Sequence, residues 1–237
     1  NVYLDQWRPI YPTELHEYSK YGTNFLNQGY FSGVTVYNEN GIMATEKYLP
    51  TKFTDLSLTN RNSYSASFGF SQILSQRLQL SVFFDVLQQQ GLLSTPYHRI
   101  YFADKTNFFI GQSQYIANYE SSTNTGVFKL ADDIERLPDT RFKLPIGVRL
   151  NYYINERFVL RTYYRYYSDD WNIRAQTASI ELPVKLSDKF TVFPSFRYYT
   201  QNASQYYAPY EKHLSTEQFY TSDPDLATFE TKQIGFG

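Results

Sequence analysis

The sequence predicts an all-β fold: an antiparallel transmembrane β-barrel with short periplasmic turns and long extracellular loops. Three observations carry that expectation. Apolar and aromatic residues recur at alternate positions over long stretches, as in strands with one apolar face. The stretches are joined alternately by three-residue links and by usually much longer ones, the link around Trp171 being the short exception, which is the asymmetry of outer-membrane barrels. Aromatics (24 Tyr, 19 Phe, 2 Trp) make up 19% of the 237 residues and charged residues another 19%. Tyr suits places where one end of a side chain is apolar and the other wet.

Val2 and Leu4 open the pattern in a partial strand over residues 1–5. Gln6–Asn60 is irregular and rich in Tyr, Asn, Gly and Pro, with Tyr30–Tyr37 as a short strand candidate; connections this long are usually functional loops or disordered. The alternation resumes over 61–74 (Tyr64, Ala66, Phe68, Phe70) and 78–90 (Leu78, Leu80, Val82, Phe84, Val86). A hairpin centred on Gln76 sets Phe68 opposite Phe84 and Phe70 opposite Val82, pairs of the stabilising kind.

A second long connection leads to strands over 142–154 and 158–168, a short link around Trp171, and strands over 174–186 and 190–200. A third long connection precedes a partial strand over 232–237. That makes at least six full strands in one domain spanning 1–237, read as an excerpt of a larger barrel with a leader and further strands outside it. The joints Asn155-Glu156-Arg157 and Ser187-Asp188-Lys189 have odd length, so even positions stay on one face throughout. Pro145, Pro183 and Pro194 fall inside strands, where each removes a ladder donor, and bulges are expected there.

Composition excludes several classes. A net charge of −1 supplies no basic field for nucleic acid. The absence of cysteine removes disulfides, thiolate catalysis and Cys-type zinc sites. No apolar run reaches the roughly 18 residues of a membrane helix, whereas barrel strands need only about 9–11 alternating residues. Loop asymmetry, Tyr near strand ends and long strands favour lipid, rather than a soluble core, against the even face.

The segments NVYLDQWRPIYP, RNSYSASFGFSQILSQRLQLSVFFDVLQQQGLLSTPYHRIYF, LADDIERLPDTRFKLPIGVRLNYYINERFVLRTYYRYYSDDW and ASIELPVKLSDKFTVFPSFRYYTQ resemble a domain-of-unknown-function family of bacterial outer-membrane β-barrel proteins. The resemblance implies the outer membrane of a Gram-negative cell and carries no established activity, ligand or catalytic residues.

Candidate sites therefore come from the residues. On the odd face, Lys143, Arg149, Arg161, Arg165, Lys185 and Arg197 stand against Asp85 and Glu181. Pairing about Glu156 sets Arg149 opposite Tyr163, Asn151 opposite Arg161 and Gly147 opposite Arg165, where the glycine leaves room for a guanidinium. A link centred near Trp171 sets Arg161 opposite Glu181 with Arg197 diagonal, one carboxylate shared by two arginines. Such a network either braces a filled lumen or biases a pore towards small anions.

Asp132, Asp133, Glu135 and Asp139 form an acidic cluster, with Asp169-Asp170 at a neighbouring strand end. It is read chiefly as salt bridges and solvated loop charge, with Ca²⁺ as a weaker candidate. His16, His98 and His213 sit in long connections and in no catalytic signature, so an enzyme such as an outer-membrane lipid hydrolase is the least favoured class and no cofactor is implied. The loops carry many aromatics, among them Trp7, Tyr11, Tyr97, Tyr101, Tyr207 and Tyr210. These either cap the barrel mouth or dock another outer-membrane or surface protein. The expected role is structural or accessory, with outer-membrane lipid as the constant partner.

Overall fold

The long alternating stretches form strands, and pairing between successive strands gathers them into one antiparallel sheet. In a computed structural model the described residues are 2–7, 35–44, 60–95, 98–120, 123 and 126–237. The strands are β1 (Val2–Trp7), β2 (Arg61–Ser75), β3 (Leu78–Gly91), β4 (Arg99–Ile100), β5 (Phe109–Gly111), β6 (Val127–Lys129), β7 (Asp133–Ile134), β8 (Thr140–Asn155), β9 (Phe158–Asp169), β10 (Arg174–Glu181), β11 (Val184–Ser187), β12 (Phe190–Val192), β13 (Pro194–Gln201) and β14 (Phe229–Phe236).

Ten of them make one sheet in the order β1-β2-β3-β8-β9-β10-β13-β14, with β11 and β12 beside this path. Among the described residues β1 pairs only with β2 and β14 only with β13, so the sheet stays open. The fold is thus all-β and antiparallel. No helix among the described residues is long and apolar enough to cross a membrane, which says nothing of crossing by strands.

The hairpin registers follow the apolar parity: Phe68 faces Phe84, Phe70 faces Val82, Arg149 faces Tyr163 and Arg161 faces Glu181. Phe68 and Phe84 stack with ring centroids 4.7 Å apart. Three turns share one construction. Gln76–Arg77, Glu156–Arg157 and Asp188–Lys189 are two-residue turns, and the register shifts by one residue just before each, at Leu74, Ile154 and Leu186. The extra residue restores odd length and keeps the apolar set on its face. The residue before each turn caps it: Ser75 Oγ, Asn155 Oδ1 and Ser187 Oγ accept the N–H two residues on at 3.2, 2.9 and 3.3 Å.

Two sequence expectations need correction. The strands over 174–186 and 190–200 are each interrupted, dividing at Leu182-Pro183 into β10 and β11 and at Phe193 into β12 and β13. The prolines cause this, because Pro183 and Pro194 bring no N–H to the ladder. Pro145 is accommodated inside β8 opposite Tyr167 without a break. Of the Tyr30–Tyr37 candidate, residues 30–34 lie outside the described residues, and Tyr37 forms isolated bridges to Met43 and Phe109.

The even face of the sheet is apolar and open. Phe70 is 61% exposed and Ile180 52%, and Val2, Leu4, Phe68, Val82, Phe84, Ile146, Tyr164, Phe196, Ile234 and Phe236 are exposed with them. The buried core lies elsewhere, almost all of it in the connections at the end opposite the short turns: Ile100, Phe102, Phe108, Phe109, Ile110, Ile116, Val127, Leu130, Ile134, Leu137, Trp171, Ile173 and Tyr220. There β4 pairs β7, β5 pairs β6, Phe102 bridges to His213 and Arg136 to Tyr220, so the β3–β8 and β13–β14 connections form one lobe.

Trp171 seats the lobe on the sheet. Its indole N–H donates to Thr140 O at 3.1 Å and the Arg141 guanidinium lies 4.2 Å from its ring centroid. Tyr206 from the last connection meets it edge-on at 6.0 Å. The link is short because Asn172 takes a left-handed φ of 65°, which Asn tolerates.

Candidate functional site: a charged concavity and an ordered lobe

On the odd face a concavity of about 580 Å³ is lined by Arg149 and Asn151 of β8, Arg161, Thr162 and Tyr163 of β9, Ser179 and Glu181 of β10 and Arg197 of β13. Period-two geometry puts all of these side chains but the even-numbered Thr162 on the side opposite the apolar set. Arg161 Nη1 donates to Glu181 Oε1 at 2.8 Å, both side chains being partly exposed. Arg149 lies over the Tyr163 ring at 5.7 Å. Asn151 Nδ2 donates to Gln79 at 3.2 Å, while its buried Oδ1 finds no partner among the described residues.

Three guanidinium groups therefore share this space with one carboxylate, a surplus of positive charge suited to an anion.

The sequence expectations for this face are met unevenly. Arg197 lies diagonal to Glu181 but makes no ion pair with it among the described residues, because its register partner is Ser179. Lys185 turns away altogether and pairs with Asp188 at 2.7 Å in the neighbouring turn. Arg165 faces Gly147 and Thr177 and lies outside the concavity lining.

The space above Gly147 holds no guanidinium. The Phe83 ring fills it and stacks on Tyr163 at 5.8 Å, and a Cβ on Gly147 would stand 2.2 Å from Phe83 Cζ. Phe83 is an aromatic on the polar face, and its position opposite a glycine was the available signal for it.

Of the acidic residues Asp139 and Asp170 are exposed and Asp133 makes the expected kind of salt bridge, with Arg136, but Asp132, Asp133 and Glu135 are not solvated loop charge. Asp133 is 0% and Glu135 1% exposed, and Asp132 is buried too. Burial of ionised carboxylates is tolerated when they are hydrogen-bonded, and each of these is, to different partners. Asp132 accepts the Phe102 N–H at 2.8 Å; Asp133 accepts the Tyr220 hydroxyl at 2.5 Å and Arg136 Nε at 3.1 Å. Glu135 accepts the Thr95 N–H and the Thr221 hydroxyl, each at 2.5 Å.

Burial pushes the carboxyls of all three above the ordinary range, that of Asp132 to about 6. Since the three groups point to separate partners, they do not together form the Ca²⁺ site considered from sequence. Glu135 instead faces His98 and Asp223. Asp169 is spent on Arg141, the Tyr167 hydroxyl and the Ile173 N–H.

Many of the loop aromatics are interior groups of the lobe. Phe102 meets Tyr220 edge-on at 5.1 Å, Phe109 meets Tyr119 at 5.3 Å, and Tyr206 meets Phe219 at 5.6 Å. Tyr101 and Tyr210 tilt together at 5.0 Å, with the Lys129 ammonium 5.3 and 5.5 Å from their centroids. Lys129 itself pairs with Glu211. Tyr207 bridges to Thr221, and Trp7 remains exposed under the Arg61 guanidinium at 5.8 Å. Tyr11, Tyr97 and His16 lie outside the described residues. His213 is buried with Nδ1 2.6 Å from Glu217 and Nε2 2.9 Å from Thr221 O, so both ring nitrogens serve the lobe's own contacts.

Neither a curated protein nor a solved structure matches the chain. Residues 18–237 match the family model described as "Protein of unknown function (DUF3570)", and the chain belongs to that family.

Proposed function

We propose that this chain is an integral bacterial outer-membrane β-barrel in a non-enzymatic, structural or accessory role, with its lobe of connections covering one mouth. The observation that carries it is the apolar even face, exposed from β1 to β14 while the buried core sits in the lobe. An apolar face continuous over that many strands far exceeds the few hundred Å² that soluble surfaces usually expose, and lipid is the environment that suits it. The ordered aromatics and buried acids of the lobe favour capping over a loose docking surface. Expression of the full-length protein in a Gram-negative host tests this. Recovery in the outer-membrane fraction after carbonate washing, with heat-modifiable electrophoretic mobility, is expected; recovery as soluble protein would contradict it.

A second reading is favoured by the concavity, in which Arg149, Arg161 and Arg197 outnumber Glu181. It is a passage or binding place for small anionic solutes. Planar-bilayer recordings with the purified protein would show anion-selective conductance that falls in Arg197→Ala; absence of conductance removes this reading and leaves the network as a brace.

A further inference from the structure

We infer that His98, Glu135 and Asp223 form a divalent-cation site that clamps two connections of the lobe together. His98 Nδ1 lies 3.4 Å from Glu135 Oε2 and 3.9 Å from Asp223 Oδ2, and the three donor atoms all fall within 4.8 Å of one another. Ligand atoms bonded to one ion at about 2.1 Å stand roughly 3.0–3.5 Å apart in tetrahedral or octahedral geometry, so small side-chain rotations close this set on an ion. His98 and Glu135 belong to the β3–β8 connection and Asp223 to the β13–β14 connection. The ion would therefore join segments that no covalent link holds together in a chain without cysteine.

Each ligand is oriented from behind. Glu135 is fixed by the Thr95 N–H and the Thr221 hydroxyl. Asp223 Oδ1 accepts the Asp225 N–H at 2.9 Å, which leaves Oδ2 turned to His98. The Asp223 N–H donates to Thr221 Oγ1 at 3.0 Å, and the Glu135 N–H donates to His98 O at 2.9 Å, so Thr221 couples both carboxylates to one support. Outer contacts of this kind set ligand geometry in metal sites.

The charges also suit a cation. Among the described residues His98 is the one basic side chain ion-paired with either carboxylate. A neutral imidazole and two carboxylates balance one divalent charge. One nitrogen with two oxygens suits Zn²⁺ and similar borderline ions, whereas Ca²⁺ takes about six to eight oxygens. The His98 side chain is 40% exposed, which leaves room for water in the remaining coordination positions.

The test is calorimetric titration of Zn²⁺ into the full-length protein in detergent after chelator treatment, with Co²⁺ absorption as a second readout. One saturable Zn²⁺ per chain and a raised melting temperature are expected, together with a Co²⁺ visible spectrum. His98→Ala and Asp223→Asn should each weaken binding at least about tenfold and lose most of the metal-induced rise in melting temperature, read against each variant's own metal-free melt. Absence of saturable binding, or binding kept in either variant, would overturn the inference. Neither outcome bears on membrane location, which the fractionation experiment decides separately.

Discussion

At the scale of single residues, the buried acids of the lobe dominate. Burial raises the Asp132 carboxyl from its ordinary 3.8 to about 6, so the folded state holds a proton that the unfolded state has released between those values. Stability is therefore greatest below about pH 4 for this group and is lost as pH rises through about 6, a difference on the order of 3 kcal/mol. Protection factors of the Ile100 and Phe102 amides, taken relative to the intrinsic exchange rate at each pH, should fall across that window in the parent and change little in Asp132→Asn. Tyr220→Phe removes the hydroxyl that Asp133 accepts in a dry site, and should cost about 1–3 kcal/mol of lobe stability, read by the onset of proteolysis within 98–139. None of this was legible in LADDIERLPDTR, which reads as a hydrophilic loop. Its partners Tyr220 and Thr221 arrive from a connection more than eighty residues away, and a sequence pattern carries no such contact. The same distance hid Asp223 from any reading of His98 and Glu135.

At the scale of elements, parity did most of the work. Period two together with odd-length joints defines the register of β2–β3 and β8–β9 and the meeting of Arg161 with Glu181, because a slip of one residue would turn every apolar side chain to the other face. The prolines marked where β10–β11 and β12–β13 divide. Parity says nothing of what fills a gap: it offers the void at Gly147 to Arg165, and Phe83 occupies it. Gly147→Ala should destabilise the sheet by about 1–3 kcal/mol, since the new methyl meets the ring stacked on Tyr163. Phe83→Ala in the same background should return part of that loss, measured as denaturant midpoints in detergent. Arg161→Gln removes a partly exposed ion pair and should shift stability by no more than about 1 kcal/mol. A larger loss would mean the Arg161–Glu181 pair is a buried brace.

At the scale of the whole molecule, an antiparallel sheet of long strands leaves one apolar face exposed and the dry core to the connections. The sheet was legible because one short rule repeats along it; the lobe was not, because it is assembled from irregular segments through contacts distant in sequence. Which surroundings cover the even face is the central question, and the chain's lack of cysteine makes it directly measurable. Single cysteines at Phe84, Ile146 and Ile180 on the even face, and at Ser81 and Ser179 on the odd face, would be labelled with an environment-sensitive fluorophore. The full-length protein would then be reconstituted into vesicles containing nitroxide-labelled lipid. A membrane-embedded sheet gives strong quenching at the three even positions and weak quenching at the two odd ones. Equal, weak quenching at all five would place the apolar face against protein and contradict membrane embedding.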